Sequence, residues 1–264
     1  MKNKLFLKIG GVRVLFFALA GFLLLVGVFG FIVFQKNFGI EMDVSSVSNK
    51  SFSTKEVGGG NVSEDIKSNY PWHYDITVTY FWVGEGADEE NAFISNLPSA
   101  WDEEWVLSYG GVDSPDKRNG SYPQGFVPKE NPFYFALPYN DLDDDGEMKK
   151  EALEKVYWAT GEIVEGESML KNRWIEVAKG DVVCYAQWED VGPMIETDVG
   201  YVFGDSEPGQ KDFNDNAGLD VSPAIRDCLG IEGIDRVDWR FVDFEDVPEG
   251  DWREIISVSG VNWK

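Results

Sequence analysis

The chain has 264 residues, a single histidine, two cysteines and a formal net charge of −24. So acidic a surface repels nucleic acid and anionic lipid, both of which need a basic footprint. One histidine rules out a histidine-rich zinc centre, and any serine or cysteine hydrolase site would have to use His73, which has no local signature around it.

The first element is VLFFALAGFLLLVGVFGFIVF, residues 14–34, which carries no charge. As a helix it would extend about 30 Å, the thickness of a bilayer core. Lys2, Lys4, Lys8 and Arg13 precede it. The positive-inside rule then leaves residues 1–13 in the cytoplasm and carries the rest of the chain across as a signal-anchored, single-pass protein. A cleaved signal peptide ending near Val28-Phe29-Gly30 is the alternative, and it exports the same domain. Residues 1–43 sum to +3, so the remainder carries −27. Residues 35–70 include the Ser- and Gly-rich run from 42 to 69 and read as a flexible linker. Residues 71–264 read as one exported domain.

Within that domain YDITVTYFW, 74–82, alternates Ile76, Val78, Tyr80 and Trp82 against Thr77, Thr79 and Phe81, the period of a strand. His73 lies just ahead of it and reads as a surface or interface residue. A long polar insert follows, with a short helix expected in SAWDEEWVLSYGG, 99–111. NPFYFALPYND, 131–141, reads as a strand. Next comes DLDDDG, in which Asp141, Asp143 and Asp145 have the D-x-D-x-D-G spacing of a calcium loop. The bidentate glutamate of an EF-hand is missing, because Ala152 stands at the twelfth position. A Ca2+ site and a solvated acidic turn both remain open. A helix is expected in 146–159 and a hairpin over 172–188, turning at Lys179-Gly180-Asp181. SPAIRDCLG, 222–230, has a serine N-cap, a proline at the first helical position and a glycine stop. RVDWRFV, 236–242, alternates as a strand. The two cysteines, Cys184 and Cys228, read as separate buried thiols, although export permits a disulfide.

Without histidine, carboxylates are the remaining means of acid/base catalysis. Glycosidic cleavage needs a carboxylic acid to protonate the leaving oxygen and often a carboxylate to activate water. Asp190 ends a strand at the Gly-Pro turn of QWEDVGP, 187–193, where Trp188 would favour its protonated form. Asp220 stands two residues before the capped helix, where its ionised form is favoured. Glu189 adjoins Asp190 on an extended strand, so it points to the other face and reads as a bystander. Turn capping is the competing explanation of each aspartate.

GDVVCYAQWEDVGPM, then GLDVSPAIRDCLGI, then IDRVDWRFV resemble the core of the double-psi β-barrel proteins. Relatives of that type are rare lipoprotein A-like proteins, expansins, barrel endoglucanases and the barrel of a membrane-bound lytic transglycosylase. The resemblance covers roughly residues 172–243. It implies a mainly β fold, a six-stranded double-psi β-barrel with a few short helices and long inserts, preceded here by one transmembrane helix. It also implies action on polysaccharide or peptidoglycan. Asp220 aligns with the essential aspartate of several relatives, and Asp190 with the catalytic turn position of the transglycosylase. The lipidated cysteine of rare lipoprotein A and the disulfides of expansins have no counterpart here. Ten tryptophans supply candidate sugar platforms. Trp101, Trp105, Trp188 and Tyr185 neighbour acidic or loop sequence, whereas Trp82, Trp174 and Trp239 fall on strands and read as core. The expectation is a lytic transglycosylase or endoglucanase-like enzyme. A non-catalytic expansin-like module that binds glycan or protein, calcium-stabilised or not, is the alternative.

Overall fold

The structure is a computed structural model, and it describes residues 68–89, 91–160, 164–209 and 214–260. The expected anchor at 14–34, nearly all of the linker and Trp263 lie outside the described residues. No helix among the described residues is long and apolar enough to cross a membrane.

Six strands close into a mixed barrel. They are β1 His73–Tyr80, β2 Tyr134–Leu137, β3 Trp174–Lys179, β4 Val182–Val191, β5 Leu219–Val221 and β6 Asp235–Val242. Around the barrel the order is β1-β5-β2-β4-β3-β6. β1 and β5 run parallel, as do β2 and β4, and every other neighbouring pair is antiparallel. Exchanging the first three strands with the last three (β1 for β4, β2 for β5, β3 for β6) reproduces the same neighbours and the same directions. The barrel therefore has the connectivity of two interlocked halves related by a pseudo-two-fold.

The alternating sequence explains the wall. Ile76, Val78, Ile175, Val177, Val237, Trp239 and Phe241 point inward and are buried together with Phe135, Leu137, Leu219 and Val221. Aromatic rings fill the middle. Trp188 stacks on Phe135 at 5.6 Å and on Phe241 at 5.9 Å, while Phe203 lies almost parallel to Phe241 at 5.4 Å. His73 is not a surface residue. It begins β1, is 8% exposed and stacks 4.0 Å from Trp239.

Among the described residues four short helices decorate the barrel: α1 Trp105–Tyr109, α2 Lys150–Lys155, α3 Val199–Val202 and α4 Pro223–Leu229. α4 follows its sequence signals. The Ser222 hydroxyl accepts the Ile225 N–H at 3.3 Å, and Gly230 ends the helix at φ +61. α4 packs on β4, and Cys184 of β4 is joined to Cys228 of α4 by a disulfide. This corrects the expectation of two separate thiols, because the pairing depends on a helix-to-strand contact that residue spacing does not encode.

The insert between β1 and β2 folds back over the outer face of the wall. Phe81, Val83, Trp105 and Tyr109 pack there against Tyr134 and Ala136 of β2. On another side the segment after β6 is fastened by polar bonds. Ser257 N–H donates to Gln187 Oε1 at 3.0 Å, Gln187 Nε2 donates to the Ser257 carbonyl at 2.8 Å, and the Ser257 hydroxyl accepts the Asn131 N–H at 3.0 Å.

Candidate carboxylate site under the insert

Asp190 and Asp220, thirty residues apart in sequence, stand on opposite sides of one residue. Ala136 of β2 registers with Asp190 of β4 on one side and with Asp220 of β5 on the other. Residues side by side across a sheet face the same way, and neighbouring strands lie about 4.8 Å apart. The two backbones at these positions are thus about 10 Å apart, with both side chains on the outer face that Ala136 shares with the insert.

A β-bulge creates this arrangement. Phe135 pairs with Trp188, yet the next residue, Ala136, pairs with Asp190. Glu189 is the extra residue, and bulges re-aim the side chains beside them. Trp188 therefore stays in the core, and Asp190 points outward. Glu189 has a partner of its own. It forms a buried ion pair with Lys171, Nζ to Oε2 2.6 Å, with the two side chains 2% and 1% exposed. Lys171 Nζ also donates to the Ser259 hydroxyl at 3.2 Å, which in turn donates to Glu130 Oε1 at 2.5 Å.

Main-chain groups hold Asp190. Its Oδ1 accepts the Ala100 N–H at 2.7 Å and the Val191 N–H at 2.8 Å, which ties the insert to the barrel. Asp220 is partly exposed and accepts a hydrogen bond from the Thr79 hydroxyl, its register partner on β1. Gly192 leaves room beside it. A Cβ there would lie 4.0 Å from Asp220 Oδ2 and 3.8 Å from the Ala136 Cβ. A third carboxyl, Glu85, stands on the turn that follows β1, with its Oε2 accepting from Asn96 Nδ2 at 2.6 Å. Sequence reasoning passed over Glu85, because an acidic residue in a Gly-rich loop looks like one of many solvated charges.

The expected platforms lie elsewhere. Trp101, Trp105 and Trp188 are at most 1% exposed, and Tyr185 is 3% exposed. Each indole N–H is satisfied internally, by Asn140 Oδ1, Glu130 Oε2 and the Asp190 carbonyl respectively. Tyr185 packs on Trp252 at 5.1 Å. In this conformation none of the four offers a ring face to a sugar. The partly exposed rings on β1 and just after it are Tyr80 and Trp82, stacked 6.2 Å apart, with the Arg226 guanidinium over Tyr80. The reading of Trp82 as core is thereby corrected, while Trp174 and Trp239 are buried.

A scan against protein-family models finds no match to the chain. A search of curated proteins likewise finds no match.

The acidic loop does not gather its carboxylates round one point. Asp141 is fully buried and accepts from the Ser168 hydroxyl at 2.7 Å and the Met169 N–H at 2.6 Å. Asp143 Oδ1 instead caps the Asp145 and Glu147 N–H groups. Among the described residues no group of three His, Cys, Asp or Glu side chains is placed to hold a metal ion.

Burial sets the electrostatics of the carboxylate site. It lifts Asp190 to about 7 against the two main-chain N–H bonds, with the Asp220 charge adding to the rise. Burial also lifts Asp220 to about 6, opposed by the Thr79 hydrogen bond. Glu85 rises to about 7, first through burial, with the Asn96 and Asn91 bonds opposing and the Asp220 charge contributing. Groups raised in the folded state stabilise it fully below their unfolded values near 4, and that stability is lost as pH rises towards 7. His73 works in the opposite sense, since burial lowers it to about 4 and its contribution fades as pH falls from 6.5. Glu189 is likewise lifted to about 7 by burial, and burial raises Asp113 and Asp141, so the raised carboxyls outweigh the one histidine and the melting temperature falls between pH 5 and pH 7.5. Asp190→Asn flattens that fall. An equally steep fall in the variant, read by calorimetry, would exclude Asp190 as a contributor.

Proposed function

We propose that this is an exported, membrane-anchored barrel protein that cleaves polysaccharide, cell-wall glycan above all, by carboxylate chemistry around Asp220. The observation that carries the reading is Asp220, a partly exposed carboxyl on the outer face, oriented by the Thr79 hydroxyl and with Gly192 leaving space beside it. A partly exposed carboxyl of raised pKa is what general acid/base work near neutrality requires. The reading extends to the double-psi class of barrels. The pseudo-two-fold strand order supports it, as does the position of the quoted motifs, with QWEDV ending β4, LDV forming β5 and VDWRFV forming most of β6. Export is supported by the Cys184–Cys228 disulfide, a bond that persists in oxidising compartments. The apolar run at 14–34 would then be the anchor.

Asp220, which ionises first, acts as the base that takes a proton from water or from a sugar hydroxyl. The test is release of soluble product from purified peptidoglycan and from β-glucan by the full-length protein. Asp220→Asn should lower the rate at least about 100-fold, the scale of one lost acid/base group. Release that is unchanged in that variant would end the reading.

One observation favours a second reading, a non-catalytic glycan-binding module. The Asp190 carboxylate already serves two main-chain N–H groups, a structural duty that needs no chemistry. Co-sedimentation with insoluble glycan that survives Asp220→Asn, with no product from the wild type, would select it.

A further inference from the structure

We infer that the proton donor of this site is Glu85, and that Asp190 is a positioning residue holding the insert against the barrel. The inference rests on the glycan-cleaving reading above.

A proton donor must come within about 2.6–3.2 Å of the leaving oxygen. Asp190 is badly placed for that, being 6% exposed with Oδ1 enclosed by the Ala100 and Val191 N–H groups. Glu85 is partly exposed, and its surroundings fix it in place. Its N–H donates to the Trp82 carbonyl at 3.0 Å, which turns the chain back after β1. Gly84 makes the turn at φ +84, where any Cβ would come within 2.8 Å of the Val112 side chain. Asn96 brackets Glu85 from across the loop. Its carbonyl accepts the Gly84 N–H at 2.8 Å, its own N–H donates to the Glu85 carbonyl at 3.0 Å, and its side chain holds the carboxyl. Glu85 is thus held as a functional side chain must be, by the main chain and by a side-chain amide together.

Thr79 orients Asp220, and six residues further along the same segment the turn presents Glu85. Asp220 titrates at the lower pH, and its charge contributes to the rise of Glu85. Asp220 is thus the first of the two to become the anion, and Glu85 the later to lose its proton. In the reaction Glu85 gives that proton to the glycosidic oxygen as its bond to the anomeric carbon breaks, releasing the leaving sugar as an alcohol. Asp220 accepts a proton from the water, or the sugar hydroxyl, that forms the new bond to that carbon. Return of the Asp220 proton to Glu85 through solvent closes the cycle.

The decisive experiment compares Glu85→Gln with Asp190→Asn on glycan and on aryl glycosides whose acidic phenol departs without protonation. Glu85→Gln should lose at least about 100-fold on glycan while keeping aryl glycoside turnover within about tenfold. Asp190→Asn should depress both substrates alike. Rescue by the aryl leaving group in Asp190→Asn instead of Glu85→Gln would overturn the assignment. Carboxyl NMR titration tests the pair without any substrate. Asp220→Asn should lower the Glu85 midpoint, and an unmoved midpoint would break the proposed coupling. A wild type that releases no product from any glycan would end the glycan reading, while the titration would still decide whether Glu85 and Asp220 act as a pair.

Discussion

Replacing Lys171 by methionine lowers the unfolding free energy at pH 8 by about 3–5 kcal/mol, because burial already lifts Glu189 to about 7 and, without the ammonium, its carboxylate must stay buried unpaired or take up a proton. The two groups lie 2.6 Å apart and almost wholly out of water. Burial by itself would push the Lys171 ammonium down, but the Glu189 and Glu130 charges outweigh it and leave the group raised and protonated. Glu189 Oε1 has no hydrogen-bond partner of its own, so the ammonium is the main support of that carboxylate. Methionine fills most of the lysine volume, which isolates the electrostatic loss from any cavity. The double replacement Lys171→Met, Glu189→Leu should recover most of the stability, since an apolar pair of similar size often matches a buried ion pair. Urea unfolding measures both proteins. A single variant within about 1 kcal/mol of wild type would show that the pair is solvated in solution.

The second large effect belongs to the disulfide. Cys184 and Cys228 are 44 residues apart, and closing a loop of that length restricts the unfolded chain by about 4 kcal/mol. The bridge also joins α4 to β4, the strand that ends at Asp190, and α4 directly follows the strand that bears Asp220. Both aspartates are therefore positioned through elements that the bridge connects. Reduction should lower the melting temperature by roughly 10 °C for a domain of this size. Cys184→Ser, Cys228→Ser should do the same under oxidising conditions. A melting curve indifferent to reductant would show that the bridge does not form.

Much of the barrel was legible because its signals are local. The Ser222 cap, Pro223 and Gly230 bracket a helix wherever they occur, and the alternation of 172–188 and 236–242 has the period of a strand. β5 was not legible as a strand, since three residues are too few to show a period, and only its Asp-Val-Ser motif drew attention. The fate of the tryptophans was hidden for a different reason. Trp101 and Trp105 neighbour acidic residues in sequence, but the insert carries Trp101 into the main core against Trp188 and Trp105 onto the outer wall of the barrel, and folding of that kind is non-local. The bulge at Glu189 was hidden for the same reason. Two neighbours on a regular strand face opposite sides, but one extra residue placed Glu189 on Lys171 and turned Asp190 towards the insert. Asp220 and Asp190 could be singled out from their turns and caps. Glu85 could not, because what distinguishes it is the turn at Gly84 and the embrace of Asn96.

The most direct test of the account is the product formed from purified peptidoglycan in water enriched with oxygen-18. The account predicts soluble fragments with new chain ends, labelled if water attacks and unlabelled if a sugar hydroxyl does, and their loss in Asp220→Asn. No fragments from the wild type, or the same yield from Asp220→Asn, would contradict it.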